Sequence, residues 1–173
     1  MSRSVPLGSI LLLLCATCVS ACKPALLPNT TLEDTKENRA IAEFVAHYQK
    51  AVESRAPDQV LALVAEDYFE DMGTVDASDD YGLEQLEARL STSFEHARAV
   101  HLEMFLQRVS YDEDRNLYSV DYRYSQRALL AFEAGEQWVT HSDVNRLVLR
   151  PRIEDKDSDQ NKELGGFLIV SGL

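Results

Sequence analysis

Beyond Phe94 the apolar residues of this chain change period, from the three-to-four spacing of a helix to strict alternation. Ahead of that point Ile41, Phe44, Val45, Tyr48 and Val52 make one face of a first helix starting near Glu37. Pro57-Asp58 opens a second, short helix through Ala65, with proline in the first turn and an acid at the positive end of the dipole. Asp67–Asp71 reads as a short strand and Met72–Asp80 as a loop. Leu83, Leu86, Leu90 and Phe94 mark a third helix. After it, Val100, Leu102, Met104 and Leu106 alternate with His101, Glu103, Phe105 and Gln107, the signature of a strand with one apolar face. Asp112–Asn116 is turn chemistry. Tyr118, Val120, Tyr122 and Tyr124 share one face of the next strand, which runs towards Phe132. Gly135 turns the chain into a third long strand, Gln137–Arg150, and Phe167–Ser171 closes the set. Three helices with one strand among them, then an antiparallel meander, predict an α+β domain without internal repeats.

Composition narrows the function. The chain has 173 residues, 45% hydrophobic, which suits one globular domain, and a net charge of −12. A chain this acidic is repelled by phosphate backbones, so nucleic acid is excluded as a partner.

The leader is informative. A polar start carrying Arg3 precedes the apolar run Ile10–Ala16, too short to span a bilayer, and then Val19-Ser20-Ala21-Cys22. That ending resembles the bacterial lipobox. The resemblance implies a signal peptide over 1–21 and a Cys22 that carries acyl chains, palmitate among them, as the mature N-terminus. All three cysteines, Cys15, Cys18 and Cys22, lie in this segment, so the exported domain has no disulfide and no thiolate metal site. Several acyl chains on one residue anchor effectively permanently. Lys23, where aspartate would signal retention at the inner membrane, points to the outer one. Residues 22–36, with two prolines and no apolar periodicity, read as the lipidated Cys and a flexible tether, leaving 37–173 as the domain.

The order of elements over Glu37–Leu173 resembles the NTF2-like superfamily, which includes SnoaL-like cyclases and ketosteroid isomerase. Asp58-Gln59-Val60-Leu61-Ala62-Leu63-Val64-Ala65-Glu66-Asp67 is similar to the family's second-helix stretch. Gly166-Phe167-Leu168-Ile169-Val170-Ser171-Gly172-Leu173 is similar to its closing strand, with Phe167 where tryptophan is usual. The resemblance implies a cone: three N-terminal helices packed on a curved antiparallel sheet.

Within that family, ketosteroid isomerase offers candidate catalytic residues. Val45-Ala46-His47-Tyr48 resembles the helix that supplies an oxyanion-donating tyrosine, and Asp67-Tyr68-Phe69-Glu70-Asp71 the strand that ends in the aspartate base. Ser142-Asp143-Val144-Asn145-Arg146 resembles the strand that bears an acid held neutral. The resemblance thus makes Asp71 a base moving the proton α to a carbonyl, with Tyr48 and Asp143 donating to the enolate. Read from the residues alone, Tyr48 is a core aromatic on its helix's apolar face, and Asp71 is a cap for the loop containing Gly73.

Four histidines, His47, His96, His101 and His141, form no paired metal motif, and no metal or cofactor is expected. His101 and His141, on different strands, are candidates to meet in a pocket, with Trp138 lining it. Asp155–Asn161 places oxygen ligands at alternate positions, as a calcium loop does. It lacks glycine at the sixth place (Gln160) and glutamate at the twelfth (Gly166), so it reads as a solvated acidic loop. The aromatic surface of Tyr118, Tyr122, Tyr124, Phe132 and Trp138 serves as core, with part available as a homodimer face.

The expectation is a lipid-anchored module of the bacterial cell envelope that binds a small apolar molecule or an envelope protein without catalysis. An isomerase or dehydratase using Tyr48, Asp71 and Asp143 is the alternative. A third reading is an interaction domain whose pocket its own side chains fill.

Overall fold

A computed structural model describes residues 24–152 and 166–173. The leader with Cys22, and the Asp155–Asn161 loop, lie outside the described residues. Helix α1 (Lys36–Glu53) starts where Thr35 accepts the Asn38 N–H at 3.1 Å, with Glu37 in the first turn and Lys50 in the last. Its apolar stripe buries Ile41, Phe44, Val45 and Val52. Helix α2 (Pro57–Leu61) carries proline in its first turn and buries Val60. Strands β1 (Phe69–Glu70) and β2 (Tyr81–Gly82) pair antiparallel, and β2 runs directly into α3 (Leu83–His96).

Three long strands follow: β3 (Ala97–Asp112), β4 (Leu117–Phe132) and β5 (Gly135–Pro151). With β6 (Phe167–Ser171) they form a four-stranded antiparallel sheet in sequence order, the expected meander. The sheet curves around the helices. Tyr122 pairs with Asn145, Val120 with Leu147 and Tyr118 with Leu149, so one phase of the alternation fixes which side chains face the helices. On that side Val120, Leu147, Leu149 and Ile169 join Phe44, Ile41, Leu63 and Val60 in a core from which water is excluded.

Two segments depart from the sequence reading. The second helix stops at Leu61, short of the expected Ala65. Past it, the Ile169 N–H donates to Leu63 at 2.8 Å and the Ala65 N–H to Ile169 at 2.9 Å. These bonds draw 63–65 out of the helix and against β6, where Leu63 and Ala65 are buried. Interstrand pairing outcompetes the helical continuation.

The tether expected over 22–36 is not free chain in its described part. Residues 25–34 fold back on themselves, with Leu26 bridged to Glu33 and the Asp34 N–H donating to Ala25 at 2.7 Å. Asn29 takes φ +56° in the turn, a conformation asparagine tolerates. The Thr31 N–H donates to Leu106 at 3.1 Å and its hydroxyl to Gln107 at 2.5 Å, which covers part of the exposed edge of β3. Leu32 drops into the core at 4% exposure. The prolines and threonines that suggest a linker supply this turn instead. No described helix is long and apolar enough to cross a membrane.

Candidate functional site

Helix α1 and the sheet together line a half-open cavity of about 160 Å3. Tyr48 and Val52 project into it from α1, one helical turn apart, and Leu102 and Met104 line it from β3. From β4 come Tyr122, Tyr124 and Gln126, every second residue as the pleat requires. Asn145 of β5 and the segment Gly172–Leu173 complete the wall. A larger hollow, about 520 Å3, adjoins it and shares Met104 and Tyr124 with it; Gln49 of α1, Glu103, Arg123, Ser125 and Ser142 give this one a more polar lining.

The tyrosines set the electrostatics. Burial raises the Tyr48 hydroxyl well above the usual phenol range, and Tyr124 and Tyr81 nearby add to the effect. Tyr122 is raised in the same way, first by burial and then by Tyr48. Both therefore stay neutral hydrogen-bond donors at any physiological pH. With the Asn145 and Gln126 amides they give an apolar chamber a few polar contacts, the usual build of a small-molecule site.

The candidate catalytic residues do not converge here. Tyr48 occupies the cavity. Asp71 lies outside it: exposed, it accepts the Gly73 N–H at 3.0 Å and caps the turn where Met72 and Gly73 take φ +51° and +65°. It borders a separate groove, on the far side of Gly172–Leu173 from Tyr48. Asp143 is paired with Tyr124 on the helix-facing side, two residues before Asn145 in β5, and is exposed. Its Oδ1 accepts the Val144 N–H at 2.8 Å, and its charge contributes to the raised pKa of Tyr124, after burial.

The histidines separate. His141 pairs with Gln126 on the helix-facing side, its ring 5.7 Å from that of Tyr124. His101 faces outward, with Nδ1 2.9 Å from Glu53. The two belong to opposite faces of the sheet, because their β4 partners, Gln126 and Arg127, are consecutive residues. Trp138 also faces outward, beneath the Arg127 guanidinium at 5.2 Å, and does not line the cavity. Among the described residues no group of three or more His, Cys, Asp or Glu side chains could hold a metal ion.

The sequence reading missed Gln126, Asn145, Tyr68 and Tyr81. Asn145 was within reach, because it shares the inward phase of Leu147 and Leu149 and is the first polar residue beyond them.

Solved structures with this arrangement are numerous. An NTF2-like superfamily protein from Salmonella enterica superposes with a TM-score of 0.57 at 12% identity, over 78% of this chain and 86% of that one. The fold is NTF2-like. A conserved protein from Planctomyces limnophilus reaches a TM-score of 0.60 at 9% identity, over 79% and 92% of the two chains. A hexachlorocyclohexane dehydrochlorinase, LinA type 2, reaches 0.55 at 11%, over 79% and 82%. No family model matches the sequence, and no curated protein matches it. At these identities the NTF2-like likeness is one of backbone, and function has to be argued from the cavity.

Proposed function

We propose that this chain is a lipid-anchored module of a bacterial cell envelope that binds a small, largely apolar molecule in the Tyr48 cavity without transforming it. The observation that carries the binding reading is the chamber itself: apolar walls from Val52, Leu102 and Met104, with the neutral Tyr48 and Tyr122 hydroxyls and two amides for orientation. The lipobox-like Val19-Ser20-Ala21-Cys22 supports the anchor, and Lys23 supports the outer membrane. The placement of Asp71 supports the absence of catalysis, since its carboxylate is engaged with its own turn across a wall of main chain from Tyr48.

A second reading, an isomerase- or dehydratase-type enzyme, draws on one observation. Asp143 and His141 both flank Tyr124 on the helix-facing side, where an acid or base would meet a ligand seated against it.

Titration of the purified protein with fluorescent 2-naphthol separates the two. The binding module takes up 2-naphthol, loses about fivefold in affinity with Tyr48→Phe (about 1 kcal/mol for one hydrogen bond) and is unchanged by Asp143→Asn. Equal weakening by both substitutions favours the enzyme. No uptake by the unaltered protein overturns the cavity reading.

A further inference from the structure

The free edge of β3 is sealed on either side of one open residue. Glu53 accepts the Leu102 N–H at 2.9 Å, and the Leu106 carbonyl accepts the Thr31 N–H at 3.1 Å. Both residues therefore turn their main chain away from β4, the only strand beside β3. The register with β4 is unbroken from Ala99 to Leu106, and an antiparallel strand turns its main-chain groups to alternate sides. Met104, midway between the two caps, must face the same open side. Among the described residues neither its N–H nor its carbonyl has a partner there.

The 520 Å3 hollow lies at this gap. Met104 is in its lining, with Asn29 from the tip of the N-terminal turn and Gln49 from α1. Gln49 precedes Glu53 by one turn, about 6 Å along the helix, and Met104 follows Leu102 by about 6.6 Å along the strand. Gln49 thus stands to Met104 as Glu53 stands to Leu102, but its side chain ends in an uncharged carboxamide.

The geometry points to a docking site for a short, extended, uncharged peptide segment that pairs with β3 at Met104. One guest residue in extended conformation meets both open groups, its carbonyl accepting the Met104 N–H and its N–H donating to the Met104 carbonyl. The caps set the length of the guest. The edge between Leu102 and Leu106 spans about 13 Å, too short for the long edge-to-edge pairing by which two copies of a sheet join. Glu103 and Arg123 place one charge of each sign on the hollow, so no net charge is demanded of the guest. The side chain of the residue opposite Met104 falls on Met104's face, the side of the Tyr48 cavity, where a branched apolar group suits the walls. This site adds to the small-molecule reading and does not depend on it.

The probe is N-acetyl-alanyl-valyl-alaninamide, titrated into the isotope-labelled protein while its amide resonances are followed. The Met104 amide is expected to exchange freely in the unbound protein, to shift saturably with the peptide, and to exchange at least tenfold more slowly when the peptide is bound. The same peptide methylated at the valine nitrogen cannot donate to the Met104 carbonyl and should bind at least tenfold more weakly. Met104→Pro removes the N–H at a strand edge, where proline is tolerated, and should weaken binding to the same degree. Met104→Leu keeps both the N–H and the side-chain volume and should bind as the unaltered protein does. No binding, saturable binding that leaves the Met104 amide unmoved, or equal affinity for the methylated peptide overturns the site. So does slow exchange at Met104 before any peptide is added, which would mean that the edge is already covered, by a second copy if the protection grows with protein concentration. If Met104→Pro does not fold, the comparison of the two peptides on the unaltered protein decides the matter alone.

Discussion

Glu53 Oε1, at the last residue of α1, accepts the Leu102 N–H of β3 at 2.9 Å and lies 2.9 Å from His101 Nδ1. Because β3 is an edge strand, that N–H has no strand partner, and one carboxylate both caps the edge and ties the first helix to the sheet. Glu53→Ala is expected to lower unfolding free energy by about 2 kcal/mol, since a bond from a buried N–H to a charged acceptor is lost. His101→Ala should cost no more than about 1 kcal/mol, as an exposed pair does. Urea denaturation at pH 7 measures both, and equal costs would contradict the edge-capping role.

On the outer side of the sheet, Asp121 lies 2.6 Å from Arg146 Nε and 2.5 Å from the Arg108 guanidinium. The hydrogen bond from Arg146, then that from Arg108, holds its carboxyl below the ordinary 3.8 despite some desolvation. A folded-state pKa below the unfolded one means stability present above about pH 4 and lost as pH falls through the folded value. Asp121→Asn should therefore cost about 1 kcal/mol near pH 6 and flatten the acid limb of a pH–stability curve. Urea midpoints between pH 6 and 3 measure it, and parallel limbs for the two proteins would rule the pairs out as a source of acid sensitivity.

Periodicity made the scaffold legible. The apolar face of α1 and the bounds of Phe167–Ser171 stood in the sequence because each is a local pattern that burial enforces. Period also placed Tyr48 on the inward face, though not what it would meet. What stayed hidden depends on partners far apart in the chain. Tyr68 and Leu173 are 105 residues apart, and no pattern around either one announces their hydrogen bond. Residues 63–65 read as helix until Ile169 supplies strand bonds, and 25–34 read as linker until the edge of β3 supplies an acceptor. The Asp71 assignment came through likeness to an enzyme, and the local turn chemistry of Gly73 proved the better guide to its side chain.

Phe167 contacts Phe44 edge-on at 5.8 Å and Tyr118 edge-on at 5.6 Å. Phe44 is fully buried at the centre of α1's apolar stripe. Phe44→Ala is expected to cost about 3–5 kcal/mol, the transfer loss plus the void left behind, and thermal or urea unfolding will show it. A loss under about 1 kcal/mol would mean that the core around β6 closes over the gap.

The buried tyrosines give the protein an alkaline limit. Tyr48, Tyr68 and Tyr122 are all raised above the ordinary phenol value of 10.0, with burial the largest cause in each case. Their unfolded counterparts ionise near pH 10, while the folded hydroxyls keep their protons. A folded pKa raised above the unfolded one contributes stability that is complete below pH 10 and is lost as pH rises through the folded value. Unfolding free energy should then hold steady from pH 8 to 9.5 and fall progressively above pH 10. Tyr48→Phe removes one of the three groups and should make that decline shallower by about 1.4 kcal/mol per pH unit where the unfolded tyrosine is fully ionised. Urea titrations from pH 8 to 11 on both proteins test it. An unchanged slope would show that the Tyr48 hydroxyl ionises as readily folded as unfolded, and so that water reaches the cavity floor.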